Sequence, residues 1–149
     1  MNFSENINLD QLNAMSRNTV AEALGIEFID LGKDFIVARM PVDHRTHQPA
    51  GMLHGGASVV LAETLGSVAG SLHIDRQTQA VVGLEINANH LRGVRSGWVY
   101  GWVTAIHLGR STQVWEIRIK TEDDKLVCIS RLTLAVIQKG AERPPMANS

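Results

Sequence analysis

The hydrophobic rhythm of the chain changes at a few places, and those changes divide it into elements. From Gln79 to His90 apolar and polar residues alternate: Val82, Leu84, Ile86, Ala88 and His90 share one face, and Gly83, Glu85, Asn87 and Asn89 the other. A period of two marks a strand buried on one side. The same alternation predicts a strand over 98–106, with Trp98, Tyr100, Trp102, Thr104 and Ile106 on one side. A third runs over 113–120, where Trp115, Ile117 and Ile119 oppose Glu116, Arg118 and Lys120. After the turn Glu122-Asp123-Asp124, residues 126–138 read as a long, mostly apolar strand. Upstream, 26–31 ends at Gly32, and 35–42 is rich in β-formers and broken by Pro41. Two short helical pieces, 8–16 and 18–24, come first, with Asn8 and Asn18 as N-caps and Gly25 as the stop.

The stretch His54–His73, HGGASVVLAETLGSVAGSLH, follows a different rule. It is about five helical turns long, and apolar or small residues occupy almost every face. A helix of that kind is a buried one. The tally is one long buried helix and about six strands, the last four long and consecutive. It predicts an α+β domain in which a curved antiparallel sheet wraps round a central helix. Residues 1–138 form a single domain without internal repeats, and the tail 139–149, with Pro144-Pro145 and no apolar period, reads as disordered.

Composition narrows the function more by exclusion than by assertion. The 149 residues are 44% hydrophobic, enough for a packed core. A net charge of −1 provides no long-range field for nucleic acid or an acidic membrane surface. One cysteine, Cys128, excludes an intrachain disulfide framework and a cysteine-rich zinc site. The N-terminus lacks a basic segment followed by an apolar run, and no stretch has the length of a membrane span. The chain therefore reads as soluble and cytoplasmic. His44 and His47 share a loop without further ligands at metal spacing. Neither phosphate-binding glycine fingerprint occurs, nor the G-x-S-x-G elbow of serine hydrolases.

What chemistry there is centres on the apolar helix. Glu63 lies in its middle, where an acid needs a partner or a use. At its start, His54-Gly55-Gly56 places a histidine and bare amides at the positive end of the helix dipole. Gly55 and Glu63 are eight residues apart, roughly 12 Å along the axis. A carboxylate and an oxyanion donor must both lie within about 3 Å of one reacting centre. One helix cannot arrange that, but two packed antiparallel can, so cooperation between these residues implies a homodimer with shared sites. Ser67, four residues after Glu63, falls on the same face. Plainer readings stand beside these. Glu63 can also be a buried acid paired with an arginine across an interface, and Gly55-Gly56 a means of close packing.

The run QPAGMLHGGASVVLAETLGSVAG, with MPVDHRT, VVGLEINANHLR, HLGR and QVWEI, resembles the hotdog-fold acyl-CoA thioesterases. The branch is the one typified by one type of 4-hydroxybenzoyl-CoA thioesterase. Within it, the likeness is to the 1,4-dihydroxy-2-naphthoyl-CoA hydrolases of menaquinone biosynthesis and the proofreading thioesterase of enterobactin biosynthesis. The resemblance spans about Leu9 to Ile137. It implies that Glu63 is the catalytic carboxylate, as nucleophile or general base. The Gly55 amide and the Gln48 side chain would polarise the thioester carbonyl, His54 would position the acyl group or departing sulfur, and Ser67 would orient water. His90 would line the acyl pocket. Gly83, the run His90, Leu91, Arg92 and Gly93, and the loop His107, Leu108, Gly109, Arg110, Ser111 and Thr112 would contact coenzyme A, with Arg92 and Arg110 near its phosphates. Coenzyme A is then part of the substrate, and no other cofactor and no metal is implied. Family members are commonly tetramers built from two dimers. Many carry an aromatic residue where this chain has Ala50, and Val68 resembles the CoA-preferring members rather than those with Met there, which favour carrier-protein substrates. The alternatives are a thioesterase acting on aryl-carrier proteins, a non-catalytic acyl-CoA-binding module, and a hydratase or dehydratase whose motifs this chain lacks.

Overall fold

The computed structural model describes residues 2–140. Three short helices open the chain: α1 (Phe3–Asn6), α2 (Leu9–Met15) and α3 (Val20–Ala23). Strands β1 (Glu27–Leu31) and β2 (Phe35–Pro41) follow, then the long helix α4 (Gly55–Leu72). The remainder is β3 (Gln79–His90), β4 (Trp98–Leu108), β5 (Thr112–Thr121) and β6 (Leu126–Gln138). All strand pairs are antiparallel, in the order β1-β2-β4-β5-β6-β3. The α+β expectation of a curved sheet holding one long helix is met.

The helix-facing side of the sheet is made by alternate residues of every strand. Ile36, Ala38, Met40, Val99, Val103, Trp115, Ile117, Ile119, Leu132 and Leu134 are buried there. They meet Leu61, Ala62, Leu65 and Ala69 of α4. Each buried Val, Leu, Ile or Met among them contributes about 1.5–3 kcal/mol of transfer free energy. Helix and sheet approach closely at Gly70. A Cβ there would stand 2.4 Å from Leu134 Cδ1 and 2.6 Å from Gln113 Oε1. Neither neighbour can yield freely, since Leu134 is buried and Gln113 is bonded to Trp115 Nε1–H at 3.0 Å. Overpacking costs about 1–3 kcal/mol, more than the roughly 1 kcal/mol alanine gains over glycine in a helix. Gly70→Ala is therefore expected to lower the unfolding free energy by up to about 2 kcal/mol, checked by urea denaturation.

Several expectations are corrected. Helix α1 was not foreseen. Its Phe3 is buried edge-on against His73, at 4.8 Å between ring centroids. Asn8 does cap α2, within a capping box to Gln11, but the N-cap of α3 is Thr19. Asn18 is instead in the left-handed region, φ 59°, which asparagine tolerates in the link between helices. Strand β3 does not pair with β4. It crosses to the far edge and pairs with β6.

The face of β3 differs as well. A bulge between Gly83 and Glu85 shifts the alternation by one residue. Gly83 is opposite Leu134 and Ile86 opposite Leu132, both helix-facing partners, whereas Val82 and Leu84 are exposed. Ile86, Ala88 and His90 keep the predicted side. In β4 a bulge between Ala105 and His107 ends the alternation before Ile106, and Trp102 lies on the outer face.

Helix α4 is buried on one face only. Ala57, Ser58, Leu61, Ala62, Leu65, Gly66, Ala69, Gly70 and Leu72 are covered by the sheet. Val59, Val60, Thr64, Ser67 and Val68 are half-buried, and Glu63 is exposed. A six-stranded sheet wraps one side of a helix, so an all-round apolar helix in a single chain keeps an uncovered apolar side. The expected tail begins at Lys139, whose N–H still donates to Thr78 O at 2.8 Å. Residues 141–149 lie outside the described residues.

Candidate functional site

The loop 43–53 is fixed before it reaches α4. Asp43 takes four hydrogen bonds from the Arg45 guanidinium and backbone, which hold its carboxyl down at about 2. The sign of the linkage is the carboxylate one: the pair is fully formed above the ordinary aspartate range and is lost as pH falls through about 2. Thr46 is buried and its hydroxyl donates to Pro41 O at 2.6 Å. Its carbonyl accepts from His54 N at 2.8 Å, Leu53 N donates to Val94 O at 2.8 Å, and His47 and Leu53 form a bridge. These ties fix the backbone that presents Gln48 and His54.

At the start of α4 four amides lack helical partners, and three of them are met locally. His54 is the N-cap, and its Nδ1 accepts from Gly56 N at 2.8 Å. His54 N donates to Thr46 O at 2.8 Å and Ala57 N to His54 O at 3.0 Å, while Ser58 N makes the first i to i−4 bond of the helix, to His54 O at 3.3 Å. Among the described residues the Gly55 N–H has no acceptor. With Nδ1 accepting, the imidazole carries its proton on Nε2. His54→Ala is expected to remove this cap and lower stability by about 1 kcal/mol, seen as a fall of roughly 2–4 °C in the unfolding midpoint.

Gly55 opens onto a cleft of about 410 Å³ lined also by Gln48, Met52, Leu53, Ser58, His90, Leu91, Arg92, Gly93 and Val127. Gln48 Oε1 accepts a hydrogen bond from Ala50 N, and among the described residues its amide NH₂ has no acceptor. His90 ends β3 directly over Gly55: a Cβ on Gly55 would be 2.9 Å from His90 Nε2. One cleft thus collects an unused backbone N–H, a side-chain amide, an imidazole and the Arg92 guanidinium.

Glu63 and Ser67 do not line this cleft. Glu63 lies further along α4 beside Gly83, and no hydrogen bond joins it to Ser67 among the described residues. The loop 107–112 is at the other end of the helix. There Leu108, Gly109 and Arg110 line a hollow of about 240 Å³ with His73, Gln79 and Gln113. That loop is closed by Gly109 N donating to Thr112 O, and Ser111 O accepts from Val136 N. Burial pushes the His73 imidazole below its ordinary range. The predicted residues are therefore spread along α4 on one chain: the Gly55 cleft at its start, Glu63 with Gly83 and Ser67 in its middle, and the loop 107–112 at its end. A larger hollow of about 500 Å³ beside β1 holds none of them, and its Glu27 and Arg45 are already paired with Arg39 and Asp43.

Two features have no signal in the residue pattern. Ser58 reads as one small helix residue among many, and the approach of Gly83 to Glu63 depends on the bulge in β3. Among the described residues no helix is long and apolar enough to cross a membrane.

A curved antiparallel sheet round one helix, with a free amide at the helix start, is the frame of a hotdog-fold thioester enzyme. Residues 50–128 match the Thioesterase superfamily model, and the chain belongs to that family. It is 52% identical over 137 residues to the 1,4-dihydroxy-2-naphthoyl-CoA hydrolase of Escherichia coli K12, covering 92% of this chain and 100% of that protein. Over 137 residues it is 53% identical to the proofreading thioesterase EntH of Cronobacter turicensis, covering 92% and 99%. The crystal structure of a Haemophilus influenzae thioesterase superposes with a TM-score of 0.90 at 53% identity, covering 97% of this chain and 100% of that one. The chain is a thioester hydrolase.

Proposed function

We propose that this enzyme hydrolyses aromatic or hydroxyaryl acyl-CoA thioesters at two sites, each shared between two copies of the chain. The observation that carries the reading is the unused Gly55 N–H in a cleft with Gln48 and His90, on a chain whose only acid on α4 points elsewhere. The Gly55 N–H and the Gln48 amide donate to the thioester oxygen as it gains negative charge. Each such donor typically contributes about 2.7–4 kcal/mol to the transition state. Glu63 of the partner subunit either attacks the carbonyl carbon or takes the proton of an attacking water. If Glu63 attacks, the C–S bond breaks to leave a mixed anhydride that water then hydrolyses, freeing the carboxylate; if water attacks, its oxygen joins the acyl carbon as the C–S bond breaks. In both routes the departing thiolate ends as the thiol of coenzyme A with a proton supplied by the water. His54 positions the acyl group or sulfur, Ser67 orients water, and Val68 borders the acyl site. Arg92 and Arg110 face the coenzyme's phosphates, with Leu91, Gly93 and the loop 107–112 along its length. No metal or further cofactor takes part, and the enzyme works in the cytoplasm.

The pairing is supported by what one chain leaves uncovered. Strand β3 is a twelve-residue edge strand with Val82 and Leu84 exposed. Long apolar edges of that kind are normally paired or blunted. A second β3 alongside extends the sheet and sets two α4 helices side by side, covering Val59, Val60 and Val68. Two such pairs then form a dimer of dimers, for which exposed Trp102 and Ile106 offer surface.

The aryl specificity rests on the relative named for a naphthoyl-CoA substrate. The relatives named EntH favour a second reading, a proofreading thioesterase acting on aryl-carrier proteins. Rates on naphthoyl-CoA, benzoyl-CoA, fatty acyl-CoA and an aryl-loaded carrier protein separate them. Aryl-CoA is expected to have the highest kcat/KM. A higher value for the carrier protein selects the second reading, and one for fatty acyl-CoA defeats both.

A further inference from the structure

Gly83 is a glycine without a backbone reason. It stands inside β3, where glycine loses entropy and packs nothing. It does not have the positive φ found at Gly25, Gly51 and Gly97. The bulge before Glu85 turns it towards α4, and a Cβ built on it would meet one atom within 4 Å, Glu63 Oε1 at 3.2 Å. A missing methyl that would touch only a carboxylate leaves room for that carboxylate. We infer that Gly83 is a positioning residue for Glu63, whose absent side chain sets where the carboxylate lies and keeps the space beside it open to the group it reacts with. This rests on the reading of Glu63 as the reacting carboxylate, and it assigns Gly83 a role other than contact with coenzyme A.

The physical consequence is graded. At 3.2 Å a methyl is inside ordinary van der Waals distance, so the exposed Glu63 side chain gives way by a few tenths of an ångström. A valine fills more of the same space and displaces the carboxylate further. Misplacement of about 1 Å in a reacting group costs roughly 10²-fold in rate. Valine also suits a strand better than glycine does, so the fold itself should not weaken.

The test compares kcat, KM for benzoyl-CoA and the thermal midpoint in the wild type, Gly83→Ala, Gly83→Val and Glu63→Ala. The inference expects kcat to fall several-fold in the alanine variant and roughly 10²-fold in the valine variant. KM should stay within about two-fold and the midpoint should not drop. Where valine disturbs folding, the alanine variant alone decides on the same kcat and KM readout. An unchanged kcat in the Gly83 variants with an inactive Glu63→Ala overturns the inference and leaves the catalytic reading standing. A raised KM at unchanged kcat overturns it in favour of a coenzyme contact. Full activity in Glu63→Ala overturns both.

Discussion

Replacing Glu63 with glutamine is expected to lower kcat on an aryl-CoA thioester by roughly 10²–10⁴-fold while leaving the fold intact. That range corresponds to about 2.7–5.4 kcal/mol of transition-state stabilisation. Glutamine keeps the shape and loses the charge and the proton affinity, so it separates chemistry from packing. The structure says why stability should hold. Glu63 is exposed on the chain and enters no salt bridge among the described residues. Substitutions at such positions stay within about 0.5 kcal/mol, or roughly 2 °C in midpoint. The competing idea, an acid held by an arginine across an interface, predicts the opposite pattern: a lower midpoint or loss of assembly with kcat preserved. Steady-state kinetics and a thermal melt on the same preparation decide between them. Undiminished hydrolysis by both Glu63→Gln and Glu63→Ala would sink the assignment.

The fold was legible where one signal dominates. Trp115, Ile117 and Ile119 alternate with charged residues and are all fully buried. The all-apolar α4 ended within a residue of its predicted bounds, because its cap and its composition change together at His54. What stayed hidden was any feature set by pairing partners. Nothing in the residues of β3 says that it crosses to β6, and a bulge is invisible to a two-residue period until the partner register is known. The Val82 and Leu84 that seem to point inward therefore point out. Helix α1 was missed for a related reason: four residues carry no periodicity, and Phe3 is held by contacts with His73 and Trp115 far along the chain.

The site was legible as residue types and not as an arrangement. Gly55 at a helix start and Glu63 in an apolar helix stand out from spacing alone. Which of the four N-terminal amides is left unused does not, since it depends on the ring of His54 folding back onto Gly56 N. The same limit applies to Gln48, an ordinary loop residue until Ala50 N ties its oxygen and leaves its NH₂ to donate into the cleft it lines. The burial inferred for Glu63 failed because hydropathy records that a helix face wants covering, not which chain covers it. That last point turns the failed expectation into an argument for a second copy.

Mixing two inactive variants tests the shared site directly. Glu63→Ala abolishes one half-site, and Gln48→Ala removes a carbonyl donor from the other, a loss of roughly 10²–10³-fold in kcat. Gln48 is the better choice than Gly55, where any side chain would press on His90 at 2.9 Å. If each centre takes Gln48 from one chain and Glu63 from its partner, a mixed dimer holds one intact centre and one doubly damaged one. With random exchange between two-fold symmetric partners, half of the dimers are mixed, and activity returns to about a quarter of the wild-type level. If both residues act within one chain, every centre in the mixture stays damaged and activity remains at the sum of the two variants. Subunit exchange is verified by co-purification of differently tagged chains, so a negative result cannot hide behind slow dissociation. The separation of roughly 12 Å along α4 makes the two outcomes mutually exclusive, because Glu63 cannot reach the Gly55 cleft of its own chain without unwinding the helix that carries both.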